Sequence, residues 1–204
     1  RRRQRQMCIR DSHYFGHKKE GNFEFLKAFC SDNNIELHTP VMREHMGSTI
    51  SSSLIRSLIL DGNSSRVYDY LGRYYGFNAT VVSGSNRGKT MNYPTANFIP
   101  IFENQLLPST GVYLTRVFFE GESYFGMTNA GVRPTFNEKK FVMEVHILSD
   151  KFGNLYDKNF YIEFLDKIRD EKKFDGKELL IKQIEKDKEV CIELIDTFKE
   201  KYEI

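Results

Sequence analysis

Between Phe77 and Asp166 the chain is a succession of short runs rich in Val, Ile, Phe, Tyr and Thr, punctuated by Gly, Pro, Asn or Asp. The runs are FNATVVSG, TANFIPIF, GVYLTRVFFEG, ESYFGMTNAG, KKFVMEVHILSD and NFYIEFLD. β-branched and aromatic side chains suit a pleated, half-buried surface, and the residues between the runs suit turns. Phe119-Glu120-Gly121-Glu122-Ser123 reads as a tight hairpin connection. Six such strands at close spacing predict a small closed barrel or sandwich rather than a parallel sheet.

Helical spacing flanks this block. After it, Leu180, Ile184, Cys191, Leu194, Ile195, Phe198 and Tyr202 form an apolar stripe with one longer gap between Ile184 and Cys191. That is an amphipathic helix, expected to pack on the barrel. Before it, Phe23, Leu26 and Phe29 share helical spacing, and Ile35–Met42 reads as a short strand. Ser51-Ser52-Ser53 opens a serine-capped helix over LIRSLIL, which Asp61-Gly62-Asn63 ends. A further short helix is expected over 65–73. This front stretch has the strand–helix alternation of an α/β domain but is too short to be a whole one. The overall class is therefore α+β.

Charge bears on what the chain binds. Residues 1–10 hold five arginines and no acid, and they account for the positive sign of the formal net charge of +2. A basic arm can attract nucleic acid. Here it has no aromatics and joins abruptly to a globular pattern, so residues 1–12 are read as a non-native or disordered tail, and no nucleic-acid partner is expected. No apolar run approaches the ~20 residues of a membrane helix, so no membrane partner is expected either. Cys8, Cys30 and Cys191 form no CxxC pair, which argues against a zinc site or disulfide framework and fits a reducing cytoplasm.

Several motifs carry chemistry. Gly84-Ser85-Asn86-Arg87-Gly88-Lys89-Thr90 has three residues between its glycines where a phosphate loop has four, and Pro94 follows where a helix is required. It is a glycine turn between strands, whose free N–H groups can still meet phosphate. In Pro94-Thr95-Ala96-Asn97, a hydroxyl and a carboxamide stand on one side of a strand, a pair able to ligate Mg²⁺ or hold phosphate oxygens. Alternation along Met143-Glu144-Val145-His146 puts Glu144 and His146 on one face, with Phe141 expected to share it. Desolvation lifts a carboxylate toward working pH, so such a strand glutamate is a candidate general base. Gly131-Val132-Arg133-Pro134-Thr135-Phe136 reads as a loop after a strand. Arg169-Asp170-Glu171-Lys172-Lys173-Phe174 reads as a charged turn before the last helix, ordinarily solvated.

The order of these motifs is more specific than any one of them. A glycine turn, PTAN, GVY, GxRPTF, a strand ExH, then RxExKF before a long helix resembles the bacterial riboflavin kinase module over nearly all of residues 66–200. The resemblance implies a six-stranded antiparallel barrel with a C-terminal helix, transferring the γ-phosphate of Mg-ATP to the riboflavin 5′-hydroxyl to give FMN. It implies that Glu144 is the catalytic base. It implies that Gly84, Arg87, Gly88, Lys89, Thr95 and Asn97 bind the nucleotide, with Thr95 and Asn97 also at the metal, Mg²⁺. Arg133, Arg169 and Phe174 would border the flavin. Two positions depart from the family: Asn92-Tyr93 stands where Gly-Phe is usual, and Lys89 where Arg is common.

The front segment resembles the end of the partner half of the bifunctional enzyme, an FMN adenylyltransferase (FAD synthetase) of α/β, Rossmann-like fold. Ile50-Ser51-Ser52-Ser53-Leu54-Ile55-Arg56 is similar to that family's ISSTxIR, which implies that Ser51, Ser52, Ser53 and Arg56 once held ATP phosphates at a helix N-terminus. Tyr14–Asn22 resembles a loop of the same domain. The HxGH-type motif that opens that domain is missing. The expectation is an N-terminally truncated bifunctional enzyme, kinase-competent and without adenylyltransferase activity. Its parts would be a tail over 1–12, an adenylyltransferase remnant over 13–64 and the kinase domain over 65–204. The alternative is a non-catalytic flavin-binding β-barrel.

Overall fold

The computed structural model describes residues 6–8, 14–38, 43–83, 93–134, 139–149 and 158–202. The chain divides into two compact units, Arg1–Ile50 and Ser51–Ile204.

In the first unit, strand β1 (Gln6–Cys8) leads through helix α1 (Phe23–Asp32) to strand β2 (Glu36–His38), and the two strands pair in parallel. Parallel neighbours need a crossover, and the helix supplies it. Residues 6–8, set aside above as part of a tail, are thus half of a ladder, because their apolar Met7 and Cys8 follow the arginines as a strand. Asn22 caps α1, its side-chain oxygen accepting the Phe25 N–H at 2.9 Å. The helix buries Leu26 and Cys30, while Phe29 is exposed. Of the strand read over Ile35–Met42, Glu36–His38 is strand, and 39–42 lie outside the described residues. A small hairpin follows, β3 (Glu44–His45) and β4 (Ser48–Thr49), turned by Met46 and Gly47 at positive φ.

The second unit begins with α2 (Ser52–Leu60) and α3 (Ser64–Leu71). Ser51 caps α2 by accepting the Leu54 N–H at 3.2 Å, and Gly72 ends α3 in the left-handed region. Six strands follow: β5 (Tyr75–Val82), β6 (Ala96–Pro100), β7 (Gly111–Phe119), β8 (Glu122–Pro134), β9 (Lys139–Ile147) and β10 (Asn159–Arg169). They close into a barrel in the order β10-β5-β6-β9-β8-β7, every pair antiparallel. Closure settles barrel against sandwich and leaves no unpaired edge. Glu120 and Gly121, both at positive φ, make the β7–β8 hairpin turn. Helix α4 (Lys177–Tyr202) ends the described chain.

Alternation divides the side chains between two cores. Phe77, Ala79, Val81, Phe98, Met143, Val145, Ile162 and Phe164 fill the barrel. Phe141 packs with them, not with Glu144 as expected, because β9 runs unbroken and residues 141, 143 and 145 share a side. The interior also holds Thr115 and Thr128, whose hydroxyls lie 2.8 Å apart while Thr115 donates to the Gly126 carbonyl, so neither is left unsatisfied. On the outer face, Val112, Leu114, Met127 and Leu165 pack against Cys191 and Ile195 of α4, with Ile184, Leu194 and Phe198 beside them.

Candidate active site

The strand register assembles a row of side chains across the outer face of the barrel. Asn97 on β6 is directly opposite Glu144 on β9, and Glu144 is directly opposite Asn129 on β8. The row continues through Val112 on β7 to Arg169 on β10. Partners in an antiparallel ladder share a face, with Cβ atoms about 5 Å apart. Their neighbours Phe98, Met143, Val145 and Ala130 point into the barrel, so this row points out. Asn97 is 8% exposed, Glu144 half-buried and Asn129 exposed.

Two of the expected residues, Asn97 and Glu144, therefore meet directly. Thr95 stands one residue before β6 and two from Asn97. Its hydroxyl and the Asn97 carboxamide oxygen are hard donors of the kind a small divalent cation takes when phosphates and water complete its shell. Among the described residues no group of three or more His, Cys, Asp and Glu is placed to hold a metal. Gly84, Arg87, Gly88 and Lys89 lie outside the described residues, as does Asn92.

The row reveals Asn129, which motif reading missed. It has no signal in the sequence, because only the β8–β9 register puts it beside Glu144. The segment read as a loop, Gly131–Phe136, is strand as far as Pro134, since Gly131, Val132 and Arg133 pair with Val142, Phe141 and Lys140; 135–138 lie outside the described residues. Gly131 has a steric purpose: a Cβ there would stand 2.5 Å from Glu171 Oε1. Its missing side chain lets the turn after β10 close down beside Asn129.

Arg169 differs most from expectation. It is the last residue of β10, and its guanidinium is engaged by Asp187 of α4, with Nε 2.9 Å from both carboxylate oxygens and Nη2 2.8 Å from Oδ2. Gln183 donates to Asp187 Oδ1 at 2.8 Å, and the Phe174 ring lies 5.7 Å from the guanidinium carbon. Asp187 is 3% exposed. The run is solvated from Asp170 to Lys173, as expected, but Arg169 at its head is anchored and ties β10 to α4 beside Phe174.

His146 follows Glu144 on the same face of β9. Its Nδ1 lies 2.9 Å from the Pro94 carbonyl oxygen, and the Tyr93 ring meets it edge-on at 5.3 Å. Burial holds the imidazole below its ordinary range, which outweighs the Pro94 hydrogen bond acting the other way. A cleft between this segment and α4 is lined by Tyr93, Pro94, His146, Glu185 and Lys188. Ser51 is the N-cap of α2, Ser52 and Ser53 are its exposed first residues, and Arg56 is exposed further along it.

A family model described as "Flavokinase: Riboflavin kinase" matches residues 71–195. The bifunctional riboflavin kinase/FMN adenylyltransferase of Haemophilus influenzae is 34% identical over 192 residues, 91% of this chain and 59% of the relative. That of Bacillus subtilis is 38% identical over 146 residues, 70% of this chain and 46% of the relative. A solved structure titled as a macrolide-efflux protein from Streptococcus pneumoniae is 32% identical with a TM-score of 0.78, covering 89% of this chain and 58% of that one. No helix of the described residues is long and apolar enough to cross a membrane. The chain spans about half the length of the curated relatives it matches. The family model's match over residues 71–195, which spans the whole barrel and most of α4, makes this chain a member of the riboflavin kinase family.

Proposed function

We propose that the second unit phosphorylates riboflavin, with Glu144 as general base. The observation that carries this reading is the direct pairing of Asn97 with Glu144 on the outer face of the barrel. It brings a carboxylate that can accept a proton within one strand spacing of the oxygen donors that suit a metal–nucleotide. The family is ATP-dependent and implies a divalent metal cofactor; we take the metal to be Mg²⁺, held by Thr95 and Asn97. Bound there, it would neutralise charge on the transferring phosphate. Glu144 takes the proton from the 5′-hydroxyl as that oxygen bonds to the γ-phosphorus, and the bond from phosphorus to the ADP oxygen breaks. Asn129, on the far side of Glu144, is placed to orient the polyol chain bearing that hydroxyl.

The flavin ring would run along the row toward the Arg169–Phe174 end, three strands from Glu144 and about 14 Å along the sheet at ordinary strand spacing. Arg169 then acts on the flavin through the turn it anchors, and Arg133 borders the same end. The Gly84–Lys89 turn would cover the nucleotide. FMN adenylyltransferase activity belongs to the names of the relatives; for this chain we propose only that Ser51, Ser52, Ser53 and Arg56 derive from such a phosphate site. Among the described residues, the buried free thiols Cys30 and Cys191 suit a reducing cytoplasm.

Turnover with riboflavin and Mg-ATP, resolving riboflavin, FMN and FAD, tests the reading. Wild type makes FMN, and Glu144→Gln lowers kcat by about 10²–10⁴-fold, the usual contribution of a positioned base, while riboflavin still binds. Well-folded wild type that binds riboflavin without making FMN would instead establish the non-catalytic flavin-binding barrel.

A further inference from the structure

The entry to β6 is held in an unusual way. β6 begins at Ala96, which pairs with Val145, so the register carried one step further sets Thr95 opposite His146. Thr95 lies outside the strand, and Pro94 before it has no N–H to give to a ladder. The Pro94 carbonyl is instead taken by the His146 side chain at 2.9 Å. A carbonyl oxygen only accepts, so Nδ1 must carry the proton. Nδ1–H can donate to the carbonyl whether the ring is neutral or charged, so the contact does not depend on the ring's titration. Tyr93 buttresses the ring edge-on. The same strand thus carries Glu144 and, two residues on, the side chain that holds the residue next to Thr95.

We propose that His146 is a positioning residue for the nucleotide end of the site: its Nδ1–H clamps the Pro94 carbonyl and fixes Thr95 relative to Glu144. The inference rests on the kinase reading above, in which Thr95 meets the nucleotide and Glu144 the acceptor. Without that hydrogen bond Thr95 is free to shift from the position in which it meets the nucleotide. His146 itself touches neither substrate. Its effect should appear in nucleotide affinity and leave flavin affinity alone.

Two substitutions separate clamp from filler. In His146→Asn a carboxamide nitrogen stands the same number of bonds from Cα as Nδ1 and can donate to Pro94. In His146→Gln the nitrogen sits one atom further, in the place of Nε2. For the full chain, three quantities are measured: KM for ATP, Kd for a non-hydrolysable ATP analogue with Mg²⁺ by calorimetry, and riboflavin Kd by fluorescence quenching. H146Q should raise KM for ATP and the analogue Kd about tenfold, the scale of removing one hydrogen bond to a confined carbonyl, and H146N no more than about twofold. Riboflavin Kd should not move in either. His146→Ser serves the same comparison if the Gln variant fails to melt cooperatively. The proposal is overturned by H146Q binding the analogue as tightly as wild type. It is equally overturned by H146N being as impaired as H146Q, or by riboflavin affinity falling in parallel. Wild type that makes no FMN would remove the kinase reading itself, a distinct result.

Discussion

Cys191 shows how far a single residue can be read. Its place on the helical stripe put it in a core, and it is fully buried against the barrel. Burial, and then the neighbouring Asp187 charge, push the thiol up to about 12. Thiols react as thiolates, so native protein at pH 8 should leave Cys191 unalkylated by iodoacetamide, with labelling appearing only on unfolding in urea. Peptide mapping checks this; native labelling at the unfolded rate would mean that α4 is not seated. Other single residues were legible to different depths. That Glu144 and His146 share a face of β9 followed from alternation. Asn129 did not, because lateral neighbours in a sheet depend on register, and register is set by closure of the whole barrel. Phe141 was placed on the wrong face although strict alternation along β9 contained the answer.

The same contrast holds for α4 as an element. Its apolar stripe was evident, and so was the gap between Ile184 and Cys191. The gap is filled by Asp187, on the buried side of the helix and bound bidentately to Arg169. A polar residue at a core position reads in sequence as a break in the pattern; only its partner on another element shows that it belongs there. Removing one member of a buried pair strands the other charge. Arg169→Ala should cost about 3–5 kcal/mol, whereas Arg169→Met with Asp187→Leu should cost far less, because packing can replace a buried pair. Urea denaturation of the two variants against wild type measures both. Equal losses would show that packing cannot replace the pair and that its charge-assisted hydrogen bonds are what the fold needs. Should the double variant be stable yet turn over riboflavin poorly, the pair's orientation of the Glu171–Phe174 turn would be its main use.

At the scale of the molecule, the question is where the kinase unit begins. Motif resemblance places the boundary between 64 and 65, but α2 lies in the same compact unit as the barrel. The structure offers a reason. α2 buries Leu58 and Ile59, and α3 buries Val67. The turn between the helices seats Gly62 so closely on the barrel that a Cβ there would lie 2.6 Å from Ser109 Oγ and 2.7 Å from Lys167 Cδ. Gly62 also holds a positive φ, so another residue would be strained as well as crowded. Ser109 is itself tied into the barrel, 2.9 Å from the Tyr113 hydroxyl and accepting from Lys167 Nζ at 3.0 Å. Burying a Leu or Ile side chain is worth about 1.5–3 kcal/mol, a large share of the stability of a domain this size. A chain of residues 51–204 should therefore melt cooperatively and make FMN as fast as the full chain. One of residues 65–204 should melt lower and lose activity at a lower temperature, even though it retains every barrel strand and every proposed kinase residue. Melting and FMN formation measured on both fragments decide the matter. Equal behaviour would mean that α2 is carried by the barrel without supporting it, and the boundary would return to residue 65.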